Sequence, residues 1–284
     1  MRTWRSKRSP SSKGGSARLQ LEWSAHISWL FRELPYADRV SAASAAGFTQ
    51  IETAWPEPQE ARGLVRAVER SGVAVALLNI DAGDLDSGER GFVGDPARRA
   101  EAERAFAAAV ELALLLGARK LNLLTGARLG HLSERRQRDT IAAALRDFAT
   151  VAREHDLTIV LEPLNTIENP RFLLSTPDAV VDMLDESGCD GVGLLFDTHH
   201  IACMGLDPTS VVERHSDRIG HVQISDHPGR RQPGSGSLDI LGMIEALRAG
   251  GYSDAMGLEF EPDGPTLPAL AFTRDPAWPL TPLR

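Results

Sequence analysis

From Leu19 onward, short runs of apolar and β-branched residues alternate with longer segments whose apolar positions recur every three or four residues. The short runs predict strands at 20–26 (QLEWSAH), 49–53 (TQIET), 73–79 (VAVALLN) and 119–124 (RKLNLL). Four more follow at 157–162 (LTIVLE), 191–197 (GVGLLFD), 219–225 (IGHVQIS) and 255–260 (AMGLEF). Several are apolar at consecutive positions, the pattern of parallel strands covered on both faces. The longer segments carry helix punctuation. Pro35 opens the first and Gly47 stops it, while 101–117 is rich in Ala and Leu and closes on Gly117. Ser133 caps a helix with an apolar stripe through Ile141, Leu145, Phe148 and Val151. Thr176-Pro177 and Asp207-Pro208 pair an N-cap with a first-turn proline, and Gly250-Gly251 ends a helix that begins near Asp239. Eight strand–helix units in about 265 residues predict the α/β class and a (β/α)8 TIM barrel. A doubly wound sheet would prefer a glycine-rich loop after its first strand, and SAHISWLFRE contains no glycine.

Composition narrows the partners. The 284 residues are 42% apolar and 25% charged, ordinary for a globular chain. No apolar run approaches the roughly 20 residues needed to span a bilayer, so no membrane partner is expected. Six of the 31 cations and none of the 39 acids fall in residues 1–18, so a net charge of −8 conceals −14 on the remainder. An acidic body repels a phosphate backbone, which argues against nucleic acid. The Ser/Arg-rich segment 1–18 lacks the apolar core of a secretory signal and reads as a solvated tail, with a transit peptide as the alternative. The expectation is a cytoplasmic protein with one barrel domain over 19–284. Cys189 and Cys203 are too few for a disulfide scaffold or a zinc–thiolate site and read as buried thiols.

In a barrel, chemistry belongs at the C-terminal ends of the strands. Those of strands five to eight read Leu161-Glu162-Pro163, Phe196-Asp197-Thr198, Val222-Gln223-Ile224 and Leu258-Glu259-Phe260. One strand-end acid is ordinarily a cap or an ion-pair partner. Four oxygen-bearing side chains from consecutive strands need a shared explanation, because converging carboxylates repel unless a cation lies between them. An all-oxygen set suits Mg²⁺ or Mn²⁺ rather than zinc.

The phrases GDLDSGERG (83–91), EPLNT (162–166), FDTHH (196–200), HVQISDHPGRRQPGSG (221–236) and GLEFEP (257–262) resemble those of the hydroxypyruvate isomerase family. That family belongs to the xylose-isomerase-like TIM barrels, and the likeness runs collinearly from about Ala25 to Pro262. The resemblance implies that Glu162 and Glu259 are both metal ligands and the acid/base pair, with Asp197 and Gln223 completing the metal set. The implied reaction converts hydroxypyruvate to tartronate semialdehyde, moving a proton between adjacent carbons through an enediolate. It needs a carboxylate base, an acid, and a positive centre at the developing oxyanion. A divalent cation supplies that centre.

Other residues join by their chemistry. Arg230, beside Gly229, is the candidate clamp for the substrate carboxylate, and neighbouring Arg231 reads as solvated. His200 is expected to touch substrate or a ligand, whereas His199 has no motif support. Glu89, in the long 80–100 loop, is expected to reach the site in a lid. Glu52 is a weaker candidate for the same mouth, and Asn165 and Asp226 are expected to orient the ligands.

Two departures from the family pattern bear on the substrate. Ser237 stands where the family tends to carry an acid, and Glu261 where it tends to carry a base. An inward Glu261 would favour a longer or less charged substrate; an outward one changes nothing. The alternatives are therefore a 2-oxo-tetronate isomerase or a keto-sugar isomerase or epimerase. From other classes come an AP-endonuclease-like nuclease, which needs more histidines and a basic face, and a non-catalytic barrel. Barrels of this sort are often dimers or more, so a homo-oligomer is expected.

Overall fold

Every predicted apolar run holds a strand in the computed structural model, which describes residues 22–278 and residue 283. The strands are β1 (Trp23–His26), β2 (Gln50–Thr53), β3 (Ala74–Asn79), β4 (Lys120–Asn122), β5 (Thr158–Leu161), β6 (Val192–Asp197), β7 (Ile219–Ile224) and β8 (Met256–Leu258). They lie in sequence order, each parallel to the next, and β8 pairs back onto β1 through Trp23↔Met256 and Ala25↔Leu258. The sheet is thus a closed barrel, which excludes the open doubly wound alternative. Around it run α1 (Tyr36–Ala45), α2 (Pro58–Ser71), α3 (Arg99–Leu116), α4 (Glu134–Glu154), α5 (Pro177–Ser187), α6 (Thr198–Cys203), α7 (Pro208–His215) and α8 (Ile240–Ala249), with α9 (Thr266–Ala269) after the last strand. The basic segment 1–18 lies outside the described residues.

The predicted caps operate as the side-chain chemistry requires. Ser133, Thr176, Asp207 and Asp239 each accept a hydrogen bond from a backbone amide in the first turn of α4, α5, α7 and α8. Gly117 ends α3 in the left-handed conformation, with φ of 65°. The apolar stripe of α4 passes through Ile141, Leu145, Phe148 and Ala152, not Val151, which is 39% exposed. One residue is 100° of helix rotation, enough to carry Val151 off the buried face. Phe148 stacks on Phe106 of α3 with ring centroids 4.2 Å apart. Burying side chains of this size contributes roughly 1.5–3 kcal/mol each.

Strands alternate their side chains, so each sends every second residue inward. On one side of the interior, Leu77, Val160 and Leu195 form a small apolar cluster, separate from the main core between sheet and helices. The other side is polar, with Ser24, Glu52, His221 and Gln223 all at most 1% exposed. Register shifts at Ile51/Glu52 and Leu194/Leu195 help set which residues face in. Gly257 accommodates this layer: a Cβ there would lie 2.3 Å from Glu52 Oε1. The closing seam is packed by Trp23, whose ring meets Phe272 at 5.9 Å and Trp278 at 6.0 Å.

Candidate active site

Glu162 and Glu259 are the first residues beyond β5 and β8, and Asp197 is the last of β6. Each is at least 93% buried, because the parallel strands stop there and the following loops fold over the mouth. Asp197 caps α6 by accepting from the His199 amide at 2.7 Å, which leaves Oδ2 for the mouth. Nη2 of Arg230 lies 3.0 Å from Asp197 Oδ2 and 2.9 Å from Glu259 Oε1, drawing the ends of β6 and β8 together. The guanidinium stacks on Trp29 at 4.3 Å. Its backbone is held at φ 54° beside Gly229 at φ 88°, a conformation that costs a non-glycine residue roughly 1–2 kcal/mol.

Glu162 accepts from Asn122 Nδ2 at 2.7 Å and lies 3.5 Å from His200 Nε2. Nδ1 of His200 takes hydrogen bonds from Asn165, backbone at 3.1 Å and side chain at 2.7 Å. The His200 proton therefore resides on Nε2, aimed at Glu162 and, at 3.9 Å, at Asp197. Burial lowers His200 to about 4, so the ring is neutral at pH 7. Glu162, Asp197 and His200 present ligand atoms all within 4.8 Å of one another.

Three carboxyl groups here share one guanidinium, and the shortage of positive charge is visible in their acidity. Burial, reinforced by Asp197, raises Glu162 to about 7. Burial raises Glu259 well above the usual carboxyl range, against the pull of Arg230 and with the push of Asp197 and Glu162. Among the described residues, Gln223 Oε1 and Glu259 Oε2 are buried with no hydrogen-bond partner. Unpartnered oxygens beside surplus carboxylates are what a hard divalent cation would satisfy, so the residues fit such an ion.

Glu52 lies in the polar layer of the barrel interior and makes no hydrogen bond or ion pair with Glu162, Asp197 or Glu259 among the described residues. It accepts from Gln223 Nε2 at 2.9 Å and from Ser24, and lies 3.0 Å from His221 Nε2. Burial pushes its carboxyl up, yet His221, His26 and Ser24 outweigh that and hold it at about 2. Because the Gln223 NH₂ is given to Glu52, its carbonyl oxygen is the free end of that amide.

The remaining expected residues have other partners. Glu89 is bonded to Arg98 and accepts from the Asp84 amide at 2.9 Å, bracing its own loop rather than bonding to the mouth acids. Asp226 accepts from the amides of His227, Gly234, Gly236 and Leu238 at 2.8–3.2 Å. It secures the loop that presents Arg230 and does not hydrogen-bond Glu162, Asp197, Gln223 or Glu259. Arg231 pairs outward with Asp263 at 2.7 Å. Glu261 and Ser237 are both exposed, Glu261 giving its amide to the Arg230 carbonyl and Ser237 bonding the His227 carbonyl. Cys189 and Cys203 are half-buried, not buried as expected. Sequence reasoning missed His26, 3.9 Å from Glu259 Oε1, and Asn122, which holds Glu162. Reading the ends of strands one and four as closely as those of five to eight would have found both.

The chain is similar to known proteins over most of its length. Residues 40–277 match the Xylose isomerase-like TIM barrel family. A Streptomyces coelicolor protein with a provisional hydroxypyruvate isomerase name is 36% identical over 266 residues, covering 88% of this chain and 94% of its own. The hydroxypyruvate isomerase of Escherichia coli is 29% identical, covering 87% and 95%. The 2-oxo-tetronate isomerase of Haemophilus influenzae is 27% identical, covering 88% and 96%. Among solved structures, that of a Brucella melitensis protein named AP endonuclease, family 2, superposes with a TM-score of 0.85 at 28% identity, covering 89% and 97%.

Proposed function

Because the chain belongs to the xylose isomerase-like TIM barrel family, we propose that it is an isomerase of small 2-keto acids, interconverting hydroxypyruvate and tartronate semialdehyde. Glu162, Asp197, Gln223 and Glu259 would hold a Mg²⁺ or Mn²⁺ ion. When bound, that ion supplies Lewis-acid stabilisation of negative charge on the substrate oxygens. The single observation that carries the proposal is the buried mouth in which three carboxyl groups share one guanidinium while Gln223 Oε1 and Glu259 Oε2 lack partners.

Glu162 and Glu259 stand on opposite sides of Asp197 and Gln223 in strand order, so one can take a proton at C3 while the other serves C2. Neutral His200 directs its Nε2–H at Glu162 and Asp197, fixing their orientation without adding charge. Arg230, flat against Trp29, gives Nη2 to Asp197 and Glu259 and Nε to the Glu259 carbonyl, which leaves Nη1 to receive the substrate carboxylate. Glu261 is exposed, so its departure from the family pattern leaves the choice between a compact and a longer substrate unchanged. A nuclease role, as in the name of the Brucella melitensis protein, has against it an acidic body and a carboxylate-lined mouth.

The test is a substrate panel on metal-free protein reloaded with Mg²⁺ or Mn²⁺. Hydroxypyruvate should turn over, with activity lost on chelation and restored by either ion. Turnover confined to 2-oxo-tetronates or free ketoses would reassign the substrate, and no turnover on any of them would overturn the isomerase reading.

A further inference from the structure

We propose that His199, Cys203 and His227 form a second metal site beside the barrel mouth, suited to Zn²⁺ or a similar borderline-soft divalent ion. None of the three belongs to the oxygen set proposed for the mouth. Each presents one ligand atom, and these atoms lie within 4.8 Å of one another. Cys203 Sγ is 3.7 Å from His199 Nδ1. A tetrahedral zinc with ordinary Zn–S and Zn–N bonds separates sulfur from nitrogen by roughly 3.6 Å.

Two further observations leave one nitrogen of each ring available. His199 Nε2 lies 3.0 Å from both carboxylate oxygens of Glu168. A carboxylate only accepts, so in the neutral ring Nε2 carries the proton and Nδ1 keeps its lone pair, while Cys203 Sγ lies 3.7 Å from Nδ1 and 3.8 Å from Nε2. A carboxylate behind the far nitrogen of a ligating histidine is the usual support of a zinc-bound imidazole. His227 Nδ1, from the loop after β7, is buried with no hydrogen-bond partner among the described residues. Metal coordination would satisfy that atom, and the S–H···N contact between Cys203 and His199 does not. Two cysteines are too few for a thiolate-built centre, but one thiol with two imidazoles supplies three N/S ligands, the number that leaves a tetrahedral ion a fourth position for water or a small anion. His199 and Cys203 stand four residues apart, one turn of α6, so the helix itself sets their spacing.

The test uses the full-length reduced protein with Mg²⁺ in excess, so that the oxygen site is supplied with its own class of ion. Titration with Co²⁺ should produce a thiolate-to-metal charge-transfer band saturating at one equivalent. Cys203→Ser should abolish the band, Cys189→Ser should leave it, and Glu168→Ala should weaken Co²⁺ binding by about 10- to 100-fold. The unmodified protein provides a readout free of folding effects: Zn²⁺ should slow alkylation of Cys203 by about tenfold or more while leaving Cys189 unchanged. Absence of the band in the wild type, its survival in Cys203→Ser, or equal alkylation of Cys203 with and without Zn²⁺ would each overturn the site.

Discussion

Glu52 and Glu162 are glutamates of one barrel, 0% and 7% exposed, yet one is held at about 2 and the other is raised to about 7. Burial pushes both upward, so burial is not what separates them. In the interior layer, Glu52 is surrounded by Ser24, Gln223, His221 and His26, and its negative charge is fully used by the structure. At the rim, Glu162 receives one amide hydrogen bond from Asn122 and faces another carboxylate, Asp197. The inner glutamate is committed; the outer one is short of partners and therefore open to a proton or a cation.

The largest expected effect comes from removing the rim carboxyl. Glu162→Gln should lower kcat by about 10²- to 10⁴-fold with the near-ultraviolet circular dichroism intact. A wild-type kcat would take Glu162 out of proton transfer. Glu52→Gln should act differently, by freeing the Gln223 amide to turn over. Mn²⁺ affinity, read by electron paramagnetic resonance without substrate, should weaken by about 10- to 100-fold. An unchanged affinity would mean that Glu52 does not orient Gln223. Arg230→Ala should raise KM for the keto acid by about tenfold or more, with a smaller effect on Mn²⁺ binding. Equal KM would place the carboxylate elsewhere.

The smallest effect is on stability, and there the two glutamates should diverge in sign. In metal-free protein, Glu52 contributes stability that is fully present above its ordinary value near 4.5 and is lost as pH falls toward about 2, on the order of 3 kcal/mol. Glu162 favours the fold below 4.5, and that contribution is lost as pH rises through about 7. The Tm of Glu162→Gln relative to wild type should therefore climb between pH 5 and 8. The deficit of Glu52→Gln should shrink as pH drops from 5 toward 3. Parallel curves would erase the contrast. His26 and His200, both lowered to about 4 chiefly by burial, add an acid-side loss as pH falls below 6.5, and Glu52→Gln, which removes the charge that raises His26, should deepen the His26 part of it.

The barrel was legible because its signals are local. Runs such as LTIVLE and stops such as Gly117 act within a few residues, and the strand-end acids follow once eight strands are counted. What was not legible depends on register and rotation. Glu52 faces inward beside a register shift at Ile51/Glu52, and no spacing in TQIET announces that it will meet Gln223, 171 positions later. Val151 fell off the α4 stripe by a single residue of rotation. Arg230 stood out in the sequence beside Gly229, but its bridge between Asp197 and Glu259 exists only after β6 and β8 are brought to one mouth.

The seam between β1 and β8 joins the first described strand to the last, and Trp23 meets Phe272 and Trp278 there. During synthesis, a nascent chain would expose that indole to solvent until almost every other strand had left the ribosome. Ring closure must then wait on the most distant pairing in the polypeptide, which makes it a slow event. With the other four tryptophans replaced, the emission of Trp23 would accordingly time the moment the hoop is sealed.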